Sequence, residues 1–184
     1  MSVSIKKSQT SSAPREADNR AAFEAIFQEH WERVYAVIFR LVGDRDEAED
    51  LALETFWRLH QQPPRRRDNL AGWLYRVATN LGLNALRARK RRRQYEEQAG
   101  ALSFESASPV NPAMEVERAE RRARVRRALA QMKPRSAKTL ILRYSGLSYA
   151  EVAAAIGVSP NSVGTLLTRA EREFEQRYRA LEGS

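Results

Sequence analysis

The apolar residues of this chain fall almost entirely at helical spacing. Phe23, Ile26, Phe27, Trp31, Val34, Tyr35, Ile38, Leu41 and Val42 step by three and four, which predicts one long amphipathic helix. Gly43 ends it, and Asp44 with Glu47 opens a second helix at capping-box-like spacing. The second helix is expected to bury Ala48, Leu51, Ala52, Thr55, Phe56 and Leu59 before Pro63 and Pro64 break it. Asp68 or Asn69 caps a third helix, from Leu70 to about Tyr95, with an apolar stripe of Leu70, Trp73, Leu74, Val77, Ala78 and Leu81. No stretch alternates as a strand would, and no segment repeats.

Periodicity stops at residues 96–113, where Ser, Ala, Gly and Pro dominate, and this predicts a flexible linker. Helical order resumes with Asn111 and Pro112 as cap and first turn, and with Val125, Leu129 and Met132 along the helix. Lys133-Pro134 breaks it. A short helix turns Leu140, Ile141 and Tyr144 inward, and a last helix runs to about Leu181 on Leu167, Phe174, Tyr178 and Leu181. The expected fold is all-α: a disordered tail over 1–19, then small helical domains over 20–95 and 114–182, joined by the flexible linker 96–113.

Between the last two elements lies SYAEVAAAIGVSPNSVGTLLTRA, residues 148–170. Ser148 and Glu151 have capping-box spacing. Ala153 is small where two helices would cross. Gly157 sits where the chain turns, a position that often needs positive φ. Ser159 is placed to cap a second helix, Pro160 takes its first position, and Val163 points back to the core. The pattern is a helix-turn-helix, whose commonest use is reading the DNA major groove. An ordinary helical hairpin is the alternative.

Charge sharpens this picture. Of the 184 residues, 42% are hydrophobic and the net charge is +9. Residues 65–93 carry ten arginines and lysines against one acid, Asp68, an excess equal to that of the whole chain. Such a concentrated patch suits a polyanion, with a solvated basic face as the bland alternative. On the third helix, Arg76, Asn80, Asn84, Arg87 and Arg91 step by four, four, three and four onto one face. Amides between arginines suit contact with bases and phosphates together. There is no cysteine, which excludes disulfides and thiol chemistry. No apolar run approaches a membrane span and the N-terminus lacks an apolar signal core, so a cytoplasmic protein without membrane insertion is expected. No nucleophile–base set, phosphate loop or metal spacing appears, so neither enzyme activity, cofactor nor metal is expected. His30, His60 and the carboxylates of Glu47–Glu54 read as surface or boundary residues.

Three segments together resemble bacterial sigma factors of the extracytoplasmic-function (group IV) class. AGWLYRVATNLGLNALRARKRR (71–92) and EAEDLALETFWRL (47–59) resemble sigma domain 2, and ALAQMKPRSAKTLILRYSGLSYAEVAAAIG (128–157) resembles sigma domain 4. The likeness covers about residues 20–181. It implies promoter recognition with core RNA polymerase, for a stress- or envelope-type regulon. The second helix, with Asp50, Glu54 and Arg58 exposed, would dock on the β′ clamp helices; without the resemblance these three read as a solvated charged face. Asn69, Arg76, Asn80 and Asn84 would meet the bases of the −10 element, with Arg87 and Arg91 on phosphates and the loop 65–69 setting preference. Domain 4 would use the β flap and read the −35 element through Ser159, Asn161, Ser162, Thr165, Thr168 and Arg169. Members of the class are usually restrained by an anti-sigma factor, an expected partner here.

The chain departs from the family pattern at four places. Gly164 stands where a basic or polar residue is usual, and Leu166 where Arg is common. Leu53 replaces a common Gln, and Asn84 a common Asp. Other readings remain at this level. A stand-alone helix-turn-helix regulator would dimerise on a palindrome, but leaves the amide–arginine face unexplained. An RNA-binding protein would use the arginine run 87–93.

Overall fold

A computed structural model describes residues 13–64, 69–98 and 112–182. Seven helices and no strand occur among them: α1 (Ala13–Val42), α2 (Arg45–Gln61), α3 (Leu70–Gln98), α4 (Pro112–Gln131), α5 (Pro134–Tyr144), α6 (Tyr149–Ile156) and α7 (Pro160–Glu182). The fold class is all-α, as expected. The helical ends differ from expectation at two places. α1 begins at Ala13, inside the segment read as a disordered tail. Pro14 suits a first helical turn, and Arg15, Glu16 and Ala17 are good helix formers, so the sequence there is compatible with helix. α3 continues to Gln98 and α4 starts at Pro112, so only residues 99–111 of the expected linker, with 1–12 of the tail, lie outside the described residues.

Local chemistry explains the turns. Gly43 adopts φ 75° and donates its N–H to the Phe39 carbonyl at 2.8 Å, closing α1. Asp44 then accepts the Glu47 N–H at 2.9 Å, opening α2. The Glu47 side chain does not return to complete a capping box. It pairs with Arg89 of α3, which also donates to the Val42 carbonyl at 2.8 Å. One arginine thus ties the α1–α2 turn to α3.

The three N-terminal helices enclose Val34, Ile38, Leu41, Phe56, Leu74 and Leu83. α1 and α3 cross closely at Gly82, where an added Cβ would lie 2.7 Å from Leu41 Cδ1. Three threonines are fully buried, and each hydroxyl donates to a carbonyl one turn back: Thr55 to Leu51, Thr79 to Tyr75 and Thr139 to Arg135. Burial on α3 is rotated from the expected stripe. Leu74, Tyr75, Ala78, Thr79, Gly82, Leu83 and Leu86 are buried, whereas Trp73, Val77 and Leu81 are half-buried. The cause is tertiary: α3 packs against α1 and α2, and also against α4, α5 and α6.

The C-terminal helices bury Leu129, Met132, Leu142, Leu147, Val152 and Val163. This core is continuous with that of α1–α3. Polar contacts follow the same seam. Arg33 of α1 pairs with Glu151 of α6 at 3.1 Å, Arg40 donates to the Tyr144 carbonyl, and Arg87 donates to the Met132 carbonyl at 3.4 Å.

Candidate nucleic-acid interface

The helix-turn-helix is built from α6, the turn at 157–159 and α7. Ser148 Oγ accepts the Glu151 N–H at 3.3 Å, and Glu151 Oε2 accepts the Ser148 N–H at 2.7 Å, a complete capping box. These Ser148 bonds, backbone first, hold the Glu151 carboxyl below its ordinary value, with Arg33 adding to the effect. Gly157 takes φ 72° and closes α6 onto the Ala153 carbonyl at 2.8 Å. Val163 and Ala170 are fully buried, which fixes the rotation of α7.

That rotation exposes Asn161, Ser162, Thr165, Thr168 and Arg169, five of the six predicted residues of this helix set. Ser159, the sixth, is also exposed, but its Oγ lies 2.8 Å from Ser162 Oγ and makes no cap to the backbone of α7. Thr168 Oγ1 donates to the Gly164 carbonyl at 3.1 Å. An added Cβ at Gly164 would meet only Tyr149, at 3.7 Å, so packing does not demand glycine there. Leu166 is half-buried rather than displayed.

On α3 the predicted stripe is partly covered. Arg76, Asn84 and Arg91 are exposed, while Asn80 and Arg87 are half-buried. Arg87 lies at the seam with α5, where burial, then Arg87 and Arg76, push the Lys138 ammonium below the usual lysine range. Asn69 stands apart from the stripe. Its Oδ1 accepts the Gly72 N–H at 3.2 Å, so it caps α3. Residues 65–68 of the loop expected to set −10 preference lie outside the described residues.

On α2, Asp50 and Arg58 are exposed, and Glu54 pairs with Arg58 at 2.8 Å. Sequence reading missed the apolar part of this surface. Leu53 and Trp57 are 47% and 57% exposed, and they border a groove of about 920 Å³ between α1 and α2. Their four-residue spacing, off the buried stripe, was the signal available. His60 lies tilted to Trp57 and edge-on to Phe23, and His30 lies edge-on to Tyr75, so both histidines pack against aromatic rings. Among the described residues, no helix is long and apolar enough to cross a membrane.

A capped helix-turn-helix beside a helix with arginines and asparagines along one face defines a two-part helical protein of the DNA-binding class. The Sigma-70 region 2 family model matches residues 26–92, and that of Sigma-70 region 4 matches residues 122–174. RNA polymerase sigma-H factor of Pseudomonas aeruginosa is 31% identical over 89% of this chain and 88% of its own length. ECF RNA polymerase sigma factor SigE of Mycolicibacterium smegmatis is 31% identical over 84% of this chain, which spans 60% of that relative. RpoE of Bartonella quintana, solved in complex with the anti-sigma factor NepR, superposes with a TM-score of 0.51 at 21% identity, over 86% of this chain and 97% of that one. CnrH, solved with the cytosolic domain of CnrY, gives 0.54 at 20% identity, over 91% and 94%. These two likenesses bear on the fold. The chain belongs to the family of RNA polymerase sigma factors, and relatives of the ECF class are among those it resembles.

Proposed function

We propose that this chain is a non-enzymatic specificity subunit that binds core RNA polymerase in the cytoplasm and directs initiation at its own promoter class. The observation that carries the reading is the order of parts along one chain: an amide–arginine helix in the region 2 match, then a capped helix-turn-helix in the region 4 match. Asn80 and Asn84 supply amides for bases of an opened −10 element, with Arg76, Arg87 and Arg91 toward phosphates. Asn161, Thr165 and Arg169 face the −35 duplex. Asp50, Glu54 and Arg58, with Leu53 and Trp57, form the surface offered to the β′ clamp helices. The β flap would be met by the region 4 domain. An anti-sigma factor is the proposed regulator, by analogy with RpoE in its complex with the anti-sigma factor NepR.

The test is in vitro transcription from a genomic-fragment library by bacterial core polymerase, with and without the chain. Discrete new start sites sharing upstream elements are the expected result. Absence of new starts, with a polymerase active under another sigma factor, would reject the proposal in favour of a stand-alone regulator.

A further inference from the structure

The second half of α7 carries a charge arrangement that the base-facing residues leave unexplained. Asn161, Thr165, Arg169, Arg172 and Gln176 step by four, four, three and four, so they share one face of the helix. Short polar groups occupy the first two positions and arginines the next two. Alongside, α5 and α7 bound a cleft of about 530 Å³ lined by Lys133, Arg135, Arg169, Arg172 and Arg177.

Some arginines elsewhere on the helices are held in local ion pairs. Arg20, Arg58, Arg121 and Arg179 each pair with a glutamate one turn away. Among the described residues, Arg135, Arg169, Arg172 and Arg177 make no such ion pair. One acid lines the cleft, Glu173, four residues from both Arg169 and Arg177. Its carboxylate instead accepts the Lys133 backbone N–H at 2.8 Å. The cleft therefore gathers positive charge with its acid already engaged, which is a field that attracts a polyanion. Leu166 lines the same cleft, half-buried beside these cations.

Geometry selects the occupant. At about 1.5 Å per residue, Arg172 lies about 17 Å along the axis from Asn161. The major groove is about 12 Å wide. When the first turn of α7 reaches base edges, Arg169 and Arg172 therefore stand over the groove rim, where phosphates lie. We infer that the α5–α7 cleft grips the sugar–phosphate backbone of duplex DNA at the rim of the groove that α7 enters. It positions the helix and reads no bases. The inference rests on the promoter-binding reading of this domain, to which it adds Lys133, Arg135, Arg172 and Arg177.

The experiment measures binding of the full-length chain to fluorescent duplexes, with and without promoter sequence, across a salt series. Arg135→Ala with Arg172→Ala is compared with Arg121→Ala with Arg179→Ala, which removes equal charge elsewhere. The cleft pair is expected to lower the slope of log K against log salt by about two, since each lost phosphate contact removes about 0.9, and to do so equally on both duplexes. Circular dichroism checks folding, and Arg135→Lys with Arg172→Lys should keep the slope. A slope matching the control pair overturns the inference. So does weakening confined to promoter sequence, which would make these arginines base readers, or loss of polymerase binding with DNA binding intact, which would assign the cleft to a protein. Promoter-directed transcription by the unmodified chain separates the two proposals. If it occurs and the slope is unchanged, only the cleft inference falls; if it fails and the slope drops, only the sigma assignment does.

Discussion

Arg33 of α1 and Glu151 of α6 meet at 3.1 Å, although 118 positions separate them. Tyr75 of α3 lies against the same guanidinium, and burial pushes its phenol pKa up while Arg33 pulls it down. The carboxylate that caps the first helix of the helix-turn-helix therefore also holds that helix to the N-terminal bundle. Arg33→Ala removes the tie and leaves the cap intact. The pair is 58% and 32% exposed, so thermal stability should change by no more than about 1 kcal/mol. Hydrogen exchange should accelerate along α6 and the middle of α3. Unchanged exchange in both helices would show that the pair does not contribute to docking.

Glu151 gives the contact a pH dependence. Its carboxyl pKa is depressed below the ordinary 4.5, first by the Ser148 backbone bond. A depressed carboxyl contributes stability that is fully present above the unfolded-state value and is lost as pH falls through the lower folded value. Glu151→Gln keeps an oxygen that can accept the Ser148 N–H but removes the charge facing Arg33, so it should lower the melting temperature at neutral pH, by the equivalent of no more than about 1 kcal/mol. The gap between variant and parent should narrow as pH drops below 4.5. Melting curves that stay parallel down to strong acid would remove Glu151 from the account.

Asn69 and the pair Asn80 and Asn84 should separate cleanly. Asn69 caps α3 through Gly72, so Asn69→Ala should cost about 1 kcal/mol of stability, and Asn69→Asp should restore it. Asn80→Ala with Asn84→Ala should instead abolish promoter opening while polymerase binding persists. Permanganate footprinting beside a polymerase pull-down reads both effects. If Asn69→Asp stays as destabilised as the alanine, the cap is not the role of this side chain.

Gly164 lies within a helix with room for a side chain. Gly164→Ala should stabilise by about 0.5–1 kcal/mol, the ordinary cost of glycine in a helix interior. Start-site choice in transcription should not move, because the methyl group faces Tyr149 rather than adding a donor. A destabilised alanine variant would mean that the glycine is required by backbone geometry.

Local chemistry was the legible part of this chain. The Asp44 cap, the Ser148–Glu151 box and the turns at Gly43 and Gly157 are decided within four residues, and each stands where spacing placed it. Periodicity alone misplaces the buried face of α3 by a rotation, because part of what covers that helix arrives from α4–α6. The cleft cations were not legible either: Arg135 and Arg172 are distant in sequence and share a site only because α5 packs on α7. The residue type of Ser159 predicts a cap, yet its hydroxyl meets that of Ser162.

The seam between the two matched regions joins parts of one polypeptide, so its opening is a unimolecular equilibrium. Diluting the protein leaves it unchanged. A ligand that needs the half-buried flank of Asn80 and Arg87 competes at its own free concentration with a neighbour that cannot diffuse away. Such a ligand can shift the balance only by the difference between its affinities for the open and docked forms, however tightly it binds either one.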